Sequence, residues 1–472
     1  MTDPSPQLHK RLKMDDAEGA TLTDKETHHS AASANVYDGP KLKAAVEHEV
    51  PASHTTCQFF NKKKNRLCRI QKVKGQNFCS DHMEAAGVKD PRKERMPCPY
   101  DSKHTCYVHL LEKHKKHCNG RPELRPPYFS ENLNCGDLEG ANPDDFKITL
   151  KDVPIEELLE LINKIKSVHE ETIKELRSEV LFHPALKEEA EKPTNGLQAQ
   201  KHIQQQASLV GHMEKQNLLK SNSIFIEFGA GKGGLSHWVQ VASQNETNTK
   251  FYLVEKSGVR YQKDIYHKGD NQGPSFERLR INIGDLDLGK VEELHASPVG
   301  IVGIGKHLCG GATDLMLRCL VETYVKGSQE RVSRLEGVVL AYCCHHRCDW
   351  KTYVGKSFMR KFDFSARDFH LMTRMTSWAV SRNQFDERKK EKGDKRRQKM
   401  DNVEEEKQTT LKYGGLTYEE REKIGYLCKQ LIDEGRRFYL QEQNFNAEVI
   451  YYTEKERTLE NMALIATAKK SS

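Results

Sequence analysis

Residues 57–118 carry two quartets of metal-ligand side chains, Cys57, Cys68, Cys79, His82 and Cys98, His104, His114, Cys118. Segments under about 40 residues bury too little apolar surface to fold alone and usually need a metal, a disulfide or a partner. Each quartet offers four donors of the kinds zinc binds tetrahedrally, with no position left open, as a structural site requires. The expectation is two small metal-folded modules holding two zinc ions, one over residues 53–90 and one over 95–121.

The second quartet has the spacing Cys-x5-His-x9-His-x3-Cys. Its last two ligands sit four apart in LLEKHKKHC, so a helix would present both on one face. This spacing resembles that of CHHC fingers in minor-spliceosome and tRNA-methylation proteins. Cys106 and His109 are spare donors, and His117 is a weaker one beside Cys118. The first quartet, Cys-x10-Cys-x10-Cys-x2-His, has longer loops and is less specific by spacing. Lys62–Lys64 and Arg66 lie in its first loop, within reach of a phosphate. Phe59 and Phe60 are either bases' stacking partners or the small core of the finger, with core favoured for at least one of them.

Charge points the same way. Residues 57–125 hold 17 Lys/Arg against seven Asp/Glu, a net +10 within a chain of net +7. A basic module on a mildly acidic body suits an anionic partner, nucleic acid first and a membrane surface second. The chain has 13 cysteines, begins MTDPSPQLHKRLK without an apolar signal region, and contains no run long enough to span a membrane. Those features predict a reducing cytosolic or nuclear compartment, not secretion, with the cysteines acting as ligands and core thiols.

At 472 residues, with 36% hydrophobic and 30% charged content, several domains and some solvated chain are expected. Residues 1–52 read as a disordered tail and 122–153 as a Pro-containing linker. Residues 154–183 read as an amphipathic helix or short coiled coil, with Leu158, Leu161, Ile162, Ile165, Val168, Ile173, Leu176 and Val180 on one face; packing on the next domain is the favoured form. Residues 195–470 alternate strands and helices, with a charged insertion at 386–408. Ile224–Phe228, Phe251–Glu255, Leu279–Ile283, Val299–Ile304 and Gly337–Ala341 are predicted parallel strands. A helix over Tyr418–Leu440 and two closing strands, Ala447–Thr453 and Met462–Ala468, complete the pattern. It predicts a doubly wound α/β sheet.

Chemistry concentrates at the predicted strand ends. In IFIEFGAGKGGLSHWV, Glu227, Gly229, Gly231 and Gly233 mark a strand-to-helix turn where backbone can approach a ligand. Glu255 ends the second strand, where a carboxylate can accept from a ribose diol. Asp285 comes after the third and can hold an adenine amino group. The spacing E-x-G-x-G-x-G, together with a late strand pair, looks like the class I (Rossmann-like) methyltransferase sheet. KHLCGG comes after the fourth strand and YCCHHRC after the fifth, and both loops should face the transferred methyl group. The cysteines and histidines of the second loop are either a third metal site or packed thiols beside a basic His. Packed thiols are favoured, because Cys343 and Cys344 point to opposite faces if the strand continues through them.

A CCCH-type finger, a CHHC finger and a domain with EFGAGKGGLS, KHLCGGATD and YCCHHRCDW together resemble the eukaryotic tRNA position-4 ribose 2′-O-methyltransferase family. The resemblance implies S-adenosylmethionine as methyl donor and the acceptor stem of tRNA as substrate, and leaves the catalytic base unassigned. Ribose methylation needs a base, or a cation for the emerging alkoxide. Lys306 and His307 can supply these roles, with His345 or His346 as an alternative base. A non-catalytic RNA-binding adaptor and a protein methyltransferase are the competing readings.

Overall fold

The computed structural model describes residues 55–62, 64–83, 85–87, 93–118, 120–121, 125–243, 249–259, 263, 275–296, 299–327, 334–379 and 409–469. The tail 1–52, Lys63 and the insertion 386–408 lie outside the described residues. The chain divides into two units, Met1–Pro122 and Glu123–Ser472.

The first unit holds two minimal folds. In one, β1 (Phe60–Asn61) pairs antiparallel with β2 (Arg66–Leu67), and the single-turn helix α1 (Ser80–Met83) carries His82. In the other, β3 (Arg95–Pro97) pairs antiparallel with β4 (Thr105–Tyr107), and α2 (Leu111–His117) carries His114. The described apolar content of each is slight, as expected of modules that fold on a metal.

The second unit opens with the stretch predicted as a linker, and that prediction is corrected. Phe129 bridges to Leu286. The buried Asn134 amide donates to the carbonyls of Ile283 and Leu286, both at 2.7 Å. Helix α3 (Ile155–Thr172) starts after Pro154 with Glu156 and Glu157 in its first turn, where carboxylates complement the helix dipole. Leu158, Leu161, Ile162, Ile165 and Val168 form its buried stripe. The helix is not a free coiled coil. Its stripe packs into a cluster with three helices from late in the chain, α9 (Lys356–Lys361), α10 (Ala366–Met375) and α11 (Tyr418–Glu442). It also ends earlier than the apolar spacing suggested. Ile173 turns extended, and Arg177–Glu179 bonds alongside Tyr451 instead of continuing the helix. Apolar residues spaced for a helix here serve two different surfaces.

Between α3 and α9 run α4 (Lys187–Ala190), α5 (Leu197–Lys215), β5 (Ile224–Phe228), α6 (Gly234–Ala242), β6 (Lys250–Val254), β7 (Ser275–Leu279), α7 (Glu292–Ala296), β8 (Ile301–Cys309), α8 (Gly311–Val321) and β9 (Leu335–Cys343). After α11, β10 (Phe445–Tyr451) and β11 (Met462–Ala468) close the chain. The sheet order is β10-β11-β9-β8-β5-β6-β7. Strands β5 to β9 are mutually parallel, and β11 inserts antiparallel between β9 and β10. This is the class I methyltransferase arrangement expected from the sequence.

Both faces of the sheet are covered. On β5, Ile224, Ile226 and Phe228 join one core cluster and Phe225 joins the other, with α5 and α6. Strand β7 corrects the predicted third strand. It runs Ser275–Leu279, and Asn282 instead caps a short turn over Ile283–Asp285. As an edge strand, SFERL alternates polar and apolar residues, so it lacks the continuous apolar run that marks a central parallel strand.

The chain turns back at the centre of the sheet, running β5 to β7 on one side and β8, β9 on the other. Open α/β sheets bind ligands outside the carboxyl ends of strands at such a switch point. Strand β8 extends to Cys309, past the predicted loop, with a register break between Lys306 and Leu308. His307 sits in that break at φ 66°. The extra residue shifts the alternation of side chains between the two faces. Val302 and Ile304 pack on the α5 side, whereas Leu308 packs on the other. A bulge re-aims side chains in this way, often beside an active site.

Candidate active site and metal centres

A cleft of about 410 Å³ opens where the switch point predicts it. Gly229 lines it from just beyond β5, Val254, Glu255 and Lys256 from the end of β6 and the residues after it, and Ile281–Ile283 from the turn that comes after β7. His307–Cys309 enter from β8, Gly311, Ala312 and Leu315 from α8, and Arg347, Asp349 and Thr352 from beyond β9. The size and the mix of apolar walls with a few polar groups suit a small-molecule site.

The glycines shape this floor. Gly229 and Gly231 have φ of 62° and 49°, and Gly233 caps α6 in the left-handed region. Residues with a Cβ adopt these angles only under strain, so glycine is favoured here. At Gly310 a Cβ would meet the Arg347 carbonyl carbon and oxygen at 2.5 Å, which lets the loops after β8 and β9 close on each other. Glu255 ties the turn together. Its Oε2 accepts from the Gly231 N–H at 3.0 Å and its Oε1 from the Ser257 N–H at 2.9 Å. A carboxylate has about four lone-pair sites, so capacity remains for a ligand hydroxyl facing the cleft.

Other expected cofactor residues are placed differently. Glu227 is buried and does not line the cleft; its Oε2 accepts from the backbone N–H and hydroxyl of Ser236 at 3.0 and 2.5 Å. Burial pushes its carboxyl up to about 7, with the Ser236 bonds, Arg278 and Lys306 pulling the other way. Asp285 is not on the cleft wall either. Its carboxylate accepts from the Asn132 N–H at 2.8 Å and so anchors the preceding segment. Asn282 and Ile283 take the cleft position expected of it.

Lys306 is buried beneath the bulge. Its Nζ lies 2.9 Å from His307 Nε2 and 3.1 Å from His202 Nδ1. Burial lowers the ammonium to about 8, although Glu227 opposes that shift. The surrounding protein, then the Lys306 charge, holds the His307 imidazole down to about 4. His202 is lowered by the same two causes. Two imidazoles that resist protonation thus face an amine that loses its proton near neutrality. Only His307 of the three lines the cleft. Sequence reasoning missed His202, because nothing local distinguishes one polar histidine on α5.

The alternative bases are not at the cleft. His345 is buried, with Nε2 at 2.8 and 2.9 Å from the Asp433 oxygens, and Asp433 also accepts from Arg436. Arg436 in turn holds Asp314 at 2.6 Å. This buried network joins α11 to α8 and gives His345 a structural place. His346 is exposed and does not line the cleft. Both had been expected near the methyl group because their loop comes directly after β9. The left-handed turn at Cys344 sends them elsewhere.

The two predicted quartets each converge, with ligand atoms all within 4.8 Å of one another. Cys57 Sγ and Cys79 Sγ lie 3.6 and 3.3 Å from His82 Nδ1, and Phe59 stacks on the His82 ring at 4.1 Å. Phe60 is exposed. In the second quartet, Cys98 Sγ lies 3.4 Å from Cys118 Sγ and 3.1 Å from His114 Nε2. His104 Nε2 lies 3.2 Å from His114 Nε2. A tetrahedron with bonds of roughly 2.0–2.3 Å has edges of about 3.3–3.8 Å, so both donor sets fit zinc. Asp101 Oδ2 sits 3.3 Å from His104 Nδ1, where a carboxylate fixes the tautomer of a metal-bound histidine. Cys106 is buried in β4, and neither it nor His109 or His117 belongs to the quartet.

Family models match three segments: "Methyltransferase TRM13" over 204–467, "CCCH zinc finger in TRM13 protein" over 55–83, and "U11-48K-like CHHC zinc finger" over 95–119. The tRNA:m(4)X modification enzyme TRM13 homologs of Mus musculus and Homo sapiens are each 38% identical to this chain. The alignments cover 87% and 88% of it, and 94% and 95% of those proteins. The tRNA:m(4)X modification enzyme TRM13 of Schizosaccharomyces pombe is 34% identical over 79% of this chain and 95% of its own length. Among solved structures, the plantazolicin methyltransferase BpumL in complex with a monoazolic desmethylPZN analog and SAH is 9% identical. It covers 66% of this chain and 98% of its own at a TM-score of 0.26, too remote to inform the site. With the methyltransferase model spanning more than half its length and its relatives aligned along most of it, the chain belongs to the TRM13 methyltransferase family.

Proposed function

We propose that this chain methylates the ribose 2′-hydroxyl at position 4 of the acceptor stem of certain tRNAs, with S-adenosylmethionine as donor. Membership of the TRM13 family supports tRNA methylation. Position 4 follows the tRNA:m(4)X name of its relatives, and the choice of a hydroxyl acceptor is supported by one observation, the Lys306–His307 pair on the β8 bulge, with His307 on the wall of the switch-point cleft and Lys306 buried behind it.

S-adenosylmethionine supplies an electrophilic methyl group on a sulfonium. Glu255 would accept from its ribose hydroxyls, the 229–231 turn would admit its backbone-facing side, and Ile283, Ala312 and Leu315 would flank its base. The acceptor hydroxyl is a poor nucleophile until its proton is shared. His307 presents its ring to the cleft and contacts Lys306 through Nε2. With Lys306 neutral, His307 would take the hydroxyl proton on its other ring nitrogen and pass the one on Nε2 to Lys306, leaving an ammonium behind the cleft wall whose charge offsets the emerging alkoxide. His202 holds the amine from the other side.

The basic finger unit would grip the acceptor stem. Double-stranded RNA is recognised by shape, phosphates and 2′-hydroxyls, and Lys62, Lys64 and Arg66 are all exposed. Residence in the cytoplasm or nucleus goes with this reading. Among the described residues, no helix is long and apolar enough to cross a membrane. The test is to incubate the protein with labelled S-adenosylmethionine and unmodified tRNA, then map the label. Label on an acceptor-stem ribose is expected. Label on protein, or none despite cofactor binding, would favour a protein methyltransferase or an RNA-binding adaptor.

A further inference from the structure

We propose a third metal site of the zinc class, built from Cys309, Cys343 and Cys344 at the edge of the methyl-transfer cleft. The sulfur atoms of these three residues all lie within 4.8 Å of one another, a limit that the ligand atoms of each finger quartet also meet. Cys309 Sγ and Cys343 Sγ are 3.4 Å apart. Three thiolates around one zinc at about 2.3 Å would sit roughly 3.8 Å apart, a small adjustment from this arrangement.

The backbone explains how the three meet. Cys309 and Cys343 end the neighbouring parallel strands β8 and β9 and are directly paired in register. Cys344 would point to the opposite face if β9 continued. Instead the strand stops at Cys343, and Cys344 takes φ 51° and ψ 46°. A non-glycine residue rarely occupies the left-handed region, and such conformations gather at functional sites. Here the turn brings the third thiol back to the other two. The objection to a metal at this loop, based on strand alternation, therefore does not hold.

The site also has an open side. Cys343 is buried, Cys309 and Cys344 are half-buried, and Cys309 lines the cleft. Three protein ligands with a fourth position left to solvent is the pattern of an accessible zinc centre, whereas the finger quartets are closed. Soft thiolates select zinc or copper(I) over magnesium or calcium. The nearby Glu460 carboxylate is already held by Lys429 at 2.8 Å and lies 3.7 Å from His345, which leaves the thiols as the donors.

The test counts metal in the full-length chain. Protein purified anaerobically with reduced thiols is equilibrated with zinc, desalted, and measured by inductively coupled plasma mass spectrometry. Three zinc ions per wild-type chain are expected, falling to two in Cys309→Ser and in Cys344→Ser. Two ions in the wild-type chain, or three in both variants, would overturn the proposal. A second measurement needs no variant: iodoacetamide labelling of the wild-type chain, mapped by peptide mass, with and without zinc. Zinc should protect Cys309, Cys343 and Cys344 by at least tenfold in rate, and labelling of these three that zinc does not slow would refute the site. Neither measurement depends on the tRNA assignment.

Discussion

At Lys306 a buried amine sits between two imidazoles, with its ammonium lowered to about 8 and His307 held to about 4. If the pair accepts the hydroxyl proton, the rate must rise with pH as Lys306 loses its own proton, and level off above about 8. Lys306→Ala should lower kcat by about 10²–10⁴, the usual range for a positioned acid or base. Lys306→Arg should keep the charge yet lose the inflection near pH 8, because arginine stays protonated. A pH–rate profile of the three proteins checks this. Glu227 gives a separate prediction. Burial raises its folded-state value from the usual 4.5 to about 7. The folded chain therefore holds this proton to higher pH than the unfolded chain does. The stability it contributes is complete below about 4.5 and is lost as pH rises through about 7. Thermal melts of Glu227→Gln should lack that part of the decline; an unchanged slope would show that Glu227 does not titrate as described. Residue type and strand position singled out Lys306 and His307, and the structure sets His307 on the cleft with Lys306 behind it. It misled at His345, whose type suits a base but whose buried bonds to Asp433 belong to a structural network.

Elements that depend on ligand spacing were the most readable, because four donors at fixed intervals leave few folds open. Both finger quartets converge as expected. Chelation of zinc should unfold these elements, since binding energy at such sites is folding energy. Hydrogen exchange should then accelerate at the Cys118 N–H, which in the folded finger bonds the His114 carbonyl. Exchange that chelation leaves unchanged would mean that α2 stands without metal. Combined Lys62→Ala, Lys64→Ala and Arg66→Ala should weaken tRNA binding and flatten its salt dependence, as fewer counterions are released. Filter binding across a salt series measures both effects. Elements whose boundaries depend on distant partners were less legible. The apolar spacing of α3 carries on past Thr172, but Arg177–Glu179 leaves the helix to pair beside β10. The edge strand β7 hid behind its polar face, and the 122–153 segment read as a linker because of its prolines. Its bonds to Ile283–Leu286 lie some 150 residues away in sequence, which no local pattern encodes.

At the scale of the molecule, the doubly wound sheet was legible from strand–helix alternation and the late strand pair. The bulge at His307 was not, since β8 is buried on both faces and a change of alternation does not show in an almost continuously apolar strand. In the proposed reaction that bulge matters, because it lets Lys306 sit in the core while His307 faces the cleft. The finger unit supplies positive charge and the sheet supplies the cleft, and the proposed methyl transfer to a ribose oxygen would give each a role. The most direct test is a single-turnover reaction on two synthetic tRNAs that differ at one atom, with either a 2′-hydroxyl or a 2′-hydrogen at position 4. Transfer to the ribose version alone is the predicted result. Equal transfer to the 2′-deoxy version would place the methyl group elsewhere and contradict the account.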